Sequence, residues 1–251
     1  MVNKHFIICV IFFFIFVGCN KPQMGEGPCE CWNYPLKPGM EEWNRLKTEE
    51  ERIAVLQVPK GILAKLTPED AICLIFTFPA FGNFTAFKSK NDDGFSVIAS
   101  RYNILEHLVS RTDVGNSMIA TYKDAGLKGF KTFPYSNEFW PLKFHFLELL
   151  LAQKGILQSL TAKEKLELLI ETRKKLTERM LDEGFVSFDS ACYTVRIMAS
   201  ILDMEKYAEL IVSTNREKIT RFIQTGFLEL EDVFLLYELI DMTDNYIKIQ
   251  E

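Results

Sequence analysis

Apolar residues recur every three or four positions along most of this chain, and no run of six alternates apolar with polar. Phe95, Ile98, Tyr102, Leu105 and Leu108 fall on one face of a helix that Asn91-Asp92-Asp93 would start. Trp43, Leu46, Ile53 and Leu56, spaced by charged residues, predict a surface helix over 40–56. Thr67-Pro68-Glu69-Asp70 places a hydroxyl cap, a first-turn proline and two acids ahead of an apolar run ending at Phe78-Pro79. More helices are predicted over 113–124, 137–153 and 161–180, from Ser187 or Asp189 through Ile201, and over 204–212, 214–226 and 229–246. Thr161-Ala-Lys-Glu164 and Thr214-Asn-Arg-Glu217 both have capping-box spacing. The 137–153 segment is apolar on nearly every side, so it belongs inside the domain. The fold class that follows is all-α. Its helices stack antiparallel, as an α-α superhelix or an irregular helical bundle.

Lys60-Gly-Ile-Leu-Ala-Lys-Leu-Thr67 recurs as Lys154-Gly-Ile-Leu-Gln-Ser-Leu-Thr161, 94 residues later. Two explanations stand. A duplicated four-helix unit would give about twice the ~40–47-residue period of helical solenoids. The alternative is reuse of one short-helix-plus-cap device. Two similar halves of a 40–251 domain would meet near 126–136, where the helical pattern is interrupted.

The amino terminus predicts an address. Lys4 precedes an uninterrupted apolar stretch from Phe6 to Val17, too short to span a typical bilayer core of about 20 residues and laid out like a secretory signal. Gly18-Cys19 then resembles the lipobox of bacterial lipoproteins. On that reading residues 1–18 are removed, Cys19 carries lipid, and 19–39, rich in proline and glycine, form a tether. A lipid bilayer, reached through Cys19, is the partner so implied. The segment Leu56-Gln-Val-Pro-Lys-Gly-Ile-Leu-Ala-Lys-Leu-Thr-Pro-Glu-Asp70, then Phe78-Pro-Ala-Phe81-Gly82, Gly94-Phe95, Arg101-Tyr-Asn103 and Leu105, resembles a group of uncharacterised helical lipoproteins of Bacteroidetes. The resemblance implies a helical fold and an envelope address, without catalytic residues. In such bacteria acidic residues after the lipidated cysteine accompany export to the surface. Asn20-Lys21-Pro22-Gln23 lacks them, which points to the periplasmic face of the outer membrane, with the cell surface as the alternative.

Chemistry narrows the picture less. With 29 Lys+Arg against 34 Asp+Glu the net charge is -5, so nothing global recommends nucleic acid, and no nucleic-acid partner is expected. Cys29-Glu-Cys31 is half a metal or redox motif without a second half. Its cysteines are expected to pair elsewhere or stay free, while Cys73 and Cys192, in apolar surroundings, read as inert buried thiols. His145 and Glu148 sit three apart on the apolar helix. A structural hydrogen-bonded pair is the plainer reading, and metal or acid–base chemistry the sharper one. Phe78, Phe81, Phe84 and Phe87 could form an aromatic surface for a sugar or peptide, or be ordinary core. The Gly-x-Ser-x-Gly, His-Glu-x-x-His and phosphate-loop motifs are missing. No catalytic residue, metal or cofactor is expected. The expected function is a non-catalytic module binding a protein or peptide in the envelope. The alternatives are envelope ligand capture and an all-helical hydrolase or lyase using paired carboxylates.

Overall fold

A computed structural model describes residue 29 and residues 31–85, 94–126, 128–129, 131, 140–181 and 188–250. The signal segment, Cys19, Phe87 and the 91–93 helix start lie outside the described residues. The described chain is an all-α bundle. Its helices are α1 (Glu41–Asn44), α2 (Glu49–Val55), α3 (Lys60–Leu63), α4 (Pro68–Phe76), α5 (Gly94–Arg101), α6 (Asn103–Ser110) and α7 (Gly115–Asp124). Then come α8 (Trp140–Leu151), α9 (Lys154–Gln158), α10 (Ala162–Leu181), α11 (Phe188–Met204), α12 (Ala208–Val212), α13 (Arg216–Thr225) and α14 (Val233–Gln250). Two 3-10 turns, Phe81–Thr85 and Leu230–Asp232, complete it. Among the described residues the sole β feature is an isolated bridge at Ala125.

The helix layout repeats with the offset seen in the sequence. The starts of α3 and α9, of α4 and α10, and of α5 and α11 are each 94 residues apart, as are the ends of α6 and α11. Burial follows the same register. Ile98, Tyr102, Leu105 and Leu108 are buried in the first set, and Cys192, Arg196, Ala199 and Leu202 in the second. Within each set the helix after the repeated octapeptide packs on its partner, α4 on α6 and α10 on α11. Helix α8 is buried on most sides and packs on α11, which also meets α13 and α14.

Where prediction and structure differ, a specific side-chain contact is responsible in several places. The 95–108 stripe is two helices, because Gln57 intrudes at Tyr102. Its Nε2 donates to the Arg101 carbonyl at 2.8 Å, and its Oε1 accepts from the Asn103 amide at 3.0 Å. Asn103 Nδ2 then donates to the Val58 carbonyl at 2.8 Å. The 40–56 segment also divides, since the Thr48 hydroxyl accepts from the Glu51 amide at 3.1 Å and starts α2 afresh. The Thr214–Glu217 capping box does not form. Helix α13 begins at Arg216, and the Ser213 hydroxyl and Asn215 amide instead donate to Glu238, each at 2.6 Å. Phe78, Phe81 and Phe84 are core rather than a ligand surface. They are 3%, 7% and 1% exposed, with Phe84 stacked on Phe78 at 4.5 Å and on Phe146 at 5.0 Å.

The Thr161 box does form: Glu164 Oε2 accepts from the Thr161 amide at 2.7 Å, and the Thr161 hydroxyl accepts from the Glu164 amide at 3.3 Å. These bonds to Thr161 hold the Glu164 carboxyl below the ordinary range. A carboxyl lowered by folding stabilises above its unfolded value and ceases to as pH falls through its folded value. Thr161→Ala is therefore expected to cost about 1 kcal/mol at neutral pH. The gap to the parent should narrow below pH ~4. Urea denaturation at the two pH values checks this, and a gap that widens in acid would contradict it.

The cysteines require two corrections. Cys73 is not a free thiol: it is disulfide-bonded to Cys29, across 44 residues of sequence. Cys31 and Cys192 are not in a disulfide. The second concerns the bilayer partner expected through a lipidated Cys19. The amino-terminal cysteine that is described, Cys29, is joined to α4 and is 4% exposed, so the covalent link found here runs into the domain's own core and not to lipid. Among the described residues no helix is long and apolar enough to cross a membrane.

Candidate functional site

His145 and Glu148, the pair singled out by spacing, do not bond to each other in the structure. Helix α8 turns them to different neighbours. Glu148 is fully buried and meets Arg179 of α10, with Arg179 Nη2 donating to Oε1 at 3.0 Å and Nη1 lying 3.4 Å from Oε2. Tyr122 of α7 and Thr194 of α11 donate their hydroxyls to the same Oε1, at 2.9 and 2.7 Å. Arg179, 1% exposed, also donates to the Thr194 hydroxyl and, at 3.3 Å, to Ser190, while its guanidinium lies over the Phe144 ring at 4.8 Å. His145 Nε2 is 2.9 Å from Ser190 Oγ, and its ring stacks on Tyr193 at 5.0 Å. Ser190 and Arg179 link the two predicted residues.

Burial raises the Glu148 carboxyl, against the pull of Arg179, Thr194 and Tyr122. It likewise raises the Tyr122 phenol, helped by the adjacent carboxylate. One turn before Arg179, Lys175 donates to the Ala125 carbonyl, pairs with Glu171 at 3.3 Å and sits over the Tyr122 ring at 5.1 Å. Burial lowers its ammonium. The Ser190–His145 separation is one that a nucleophile and its base could use. Ser190 is only 2% exposed, however, and Thr194 and Glu148 are 0%. These buried bonds make the cluster a polar clamp joining α7, α8, α10 and α11.

An open site lies elsewhere. A groove of about 350 Å³ runs between α5, α6 and the start of α9. Helix α5 contributes Phe95, Ser96, Ala99 and Ser100 to it, and α6 contributes Glu106 and Val109. Gln153, Lys154 and Gly155 close the third side. Gly155 is what lets α9 come this close: a Cβ there would stand 2.3 Å from the Val109 carbonyl oxygen, inside any tolerable contact. Lys154 and Glu106 both line the groove and are exposed. Among the described residues neither Glu106 nor Lys154 is in an ion pair. Phe95 and Ala99, 4% and 9% exposed, make the floor apolar.

Sequence reasoning did not assemble these residues into a site: Phe95 reads as part of an apolar stripe, and Lys154 and Gly155 as part of the repeated octapeptide. The available signal was partial: Gly155 lies within a short helix, but Gly61 holds the same place in the first octapeptide without a close contact. Among the described residues no three His, Cys, Asp or Glu side chains are grouped to hold a metal ion. No family model, curated protein or solved structure matches this chain.

Proposed function

We propose that this all-helical module captures a small ligand in the groove between α5, α6 and α9, in an oxidising compartment outside the cytoplasm. The observation that carries the reading is the groove itself: about 350 Å³, an apolar floor, and a few polar groups at the rim. That volume lies at the small end of the ~300–1,000 Å³ typical of ligand pockets. Small-ligand capture therefore ranks above the protein-binding reading. Paired-carboxylate hydrolysis needs two acids across one cleft, and among the described residues Glu106 is the single carboxylate lining this one. The location is supported by the Cys29–Cys73 disulfide, which reducing cytosol would not keep.

Ser100 lines the groove and is exposed, so a larger side chain there fills the cavity without entering the core. Ligand-observed NMR of the full chain against a mixed fragment library is expected to give hits that Ser100→Trp loses, with the circular dichroism spectrum unchanged. Hits that persist in Ser100→Trp would place binding elsewhere and end this reading.

A further inference from the structure

We propose that the groove receives a zwitterion with an apolar side chain, a free amino acid or a dipeptide, its ammonium on Glu106 and its carboxylate on Lys154. The inference rests on the groove being the ligand site and adds the chemistry of the ligand. Three observations converge on it. Glu106 and Lys154 are opposite charges on one small cavity, and among the described residues neither is in an ion pair. Two charges so placed select a ligand carrying both signs more sharply than one carrying either, because each unmatched end leaves a charge unsatisfied. The same cavity is lined by the buried Phe95 and Ala99, against which a hydrocarbon side chain gains by leaving water.

The third observation comes from the internal repeat. Moved on by 94 residues, the groove positions Ser96 and Ser100 become Ser190 and Thr194. Those are the two hydroxyls that receive Arg179, beside its partner Glu148. In the second set of helices this face is thus filled by the protein's own cation and anion. In the first set the counterpart of α10 is α4, which ends at Phe76, whereas α10 runs on to Leu181 and carries Arg179 along its last turn. Ser96 and Ser100 of α5 are accordingly exposed, where Ser190 and Thr194 of α11 are buried. A zwitterion brings to it the pair of charges that Arg179 and Glu148 bring to α11.

The test uses the full chain and the dipeptide Leu-Phe, with its N-acetyl, C-amide and doubly blocked forms, followed by calorimetry or saturation-transfer NMR. The free dipeptide is expected to bind, and each block to weaken binding by about tenfold or more. In Glu106→Gln the N-acetyl and free forms should bind alike. In Lys154→Gln the amide and free forms should bind alike. Both residues are exposed, so the fold survives either change. Equal binding of the free and doubly blocked dipeptides, or no dipeptide binding at all, overturns the zwitterion. Fragment hits lost in Ser100→Trp would then still leave the groove as the site, and a library without such hits would remove both.

Discussion

An Arg179→Met variant is expected to lose about 3–5 kcal/mol of stability at neutral pH, the usual cost of breaking a buried ion pair from one side. The reason is Glu148, which at 0% exposure would keep its charge with only Tyr122 and Thr194 to meet it. Burial already raises this carboxyl, and without the guanidinium it rises further. A carboxyl whose folded value lies above its unfolded one takes up a proton on folding, so stability falls as pH rises between the two values. The deficit of Arg179→Met should therefore be largest at neutral pH and shrink toward the unfolded carboxyl value of about 4.3. Adding Glu148→Leu should recover much of the loss, since two apolar side chains leave no charge to satisfy. Urea unfolding of the parent and the single and double variants at two pH values measures all of this. A single variant within about 1 kcal/mol of the parent, or a double variant worse than the single, would mean that the clamp does not hold these helices together.

The contrast between Arg179 and Thr161, both on or beside α10, shows what the sequence carries and what it does not. A capping box is local chemistry, so Thr161 and Glu164 announce it within four residues. The 162–181 segment reads as a charged, solvated helix, yet its buried face runs Leu168, Thr172, Lys175, Arg179 at spacings of four, three and four. The period was legible. That an arginine would continue an apolar stripe was not, because its partner Glu148 lies 31 residues away. The same distance effect divides the 95–108 helix, through Gln57 and Asn103, and diverts Ser213 and Asn215 to Glu238 in place of a cap. Helices and their order therefore follow from periodicity. The groove depends instead on how closely α9 approaches α6. Gly61 and Gly155 occupy the same place in the repeated octapeptide, but a Cβ at Gly61 would meet nothing within 4 Å, while at Gly155 it would strike backbone.

Reducing the Cys29–Cys73 bond, or replacing both cysteines with serine, is expected to lower stability by about 2–4 kcal/mol, the range for a bridge closing a loop of this size. The 44-residue loop holds α1 to α3 and the start of α4; α1 to α3 bury no residue of their own, and Leu56, Val58 and Leu66 in the connections are the buried anchors that the bridge adds to. Cys29 also brings Tyr34 onto Phe78, edge to face at 5.3 Å, and its sulfur lies 3.2 Å from the Thr77 hydroxyl. Cys31 is two residues away and free, but burial and the neighbouring Asp70 carboxylate push its thiol up to about 11. It therefore stays protonated at neutral pH, and exchange with the adjacent disulfide needs the thiolate. Peptide mapping of native protein under non-reducing conditions should show Cys29 joined to Cys73 and Cys31 unpaired, with a scrambled Cys31 linkage appearing only as pH approaches 11. A denaturation midpoint insensitive to reductant, or Cys29 alkylated in native protein without reduction, would show that this bridge neither forms nor stabilises the fold, and would take with it the argument for an oxidising compartment.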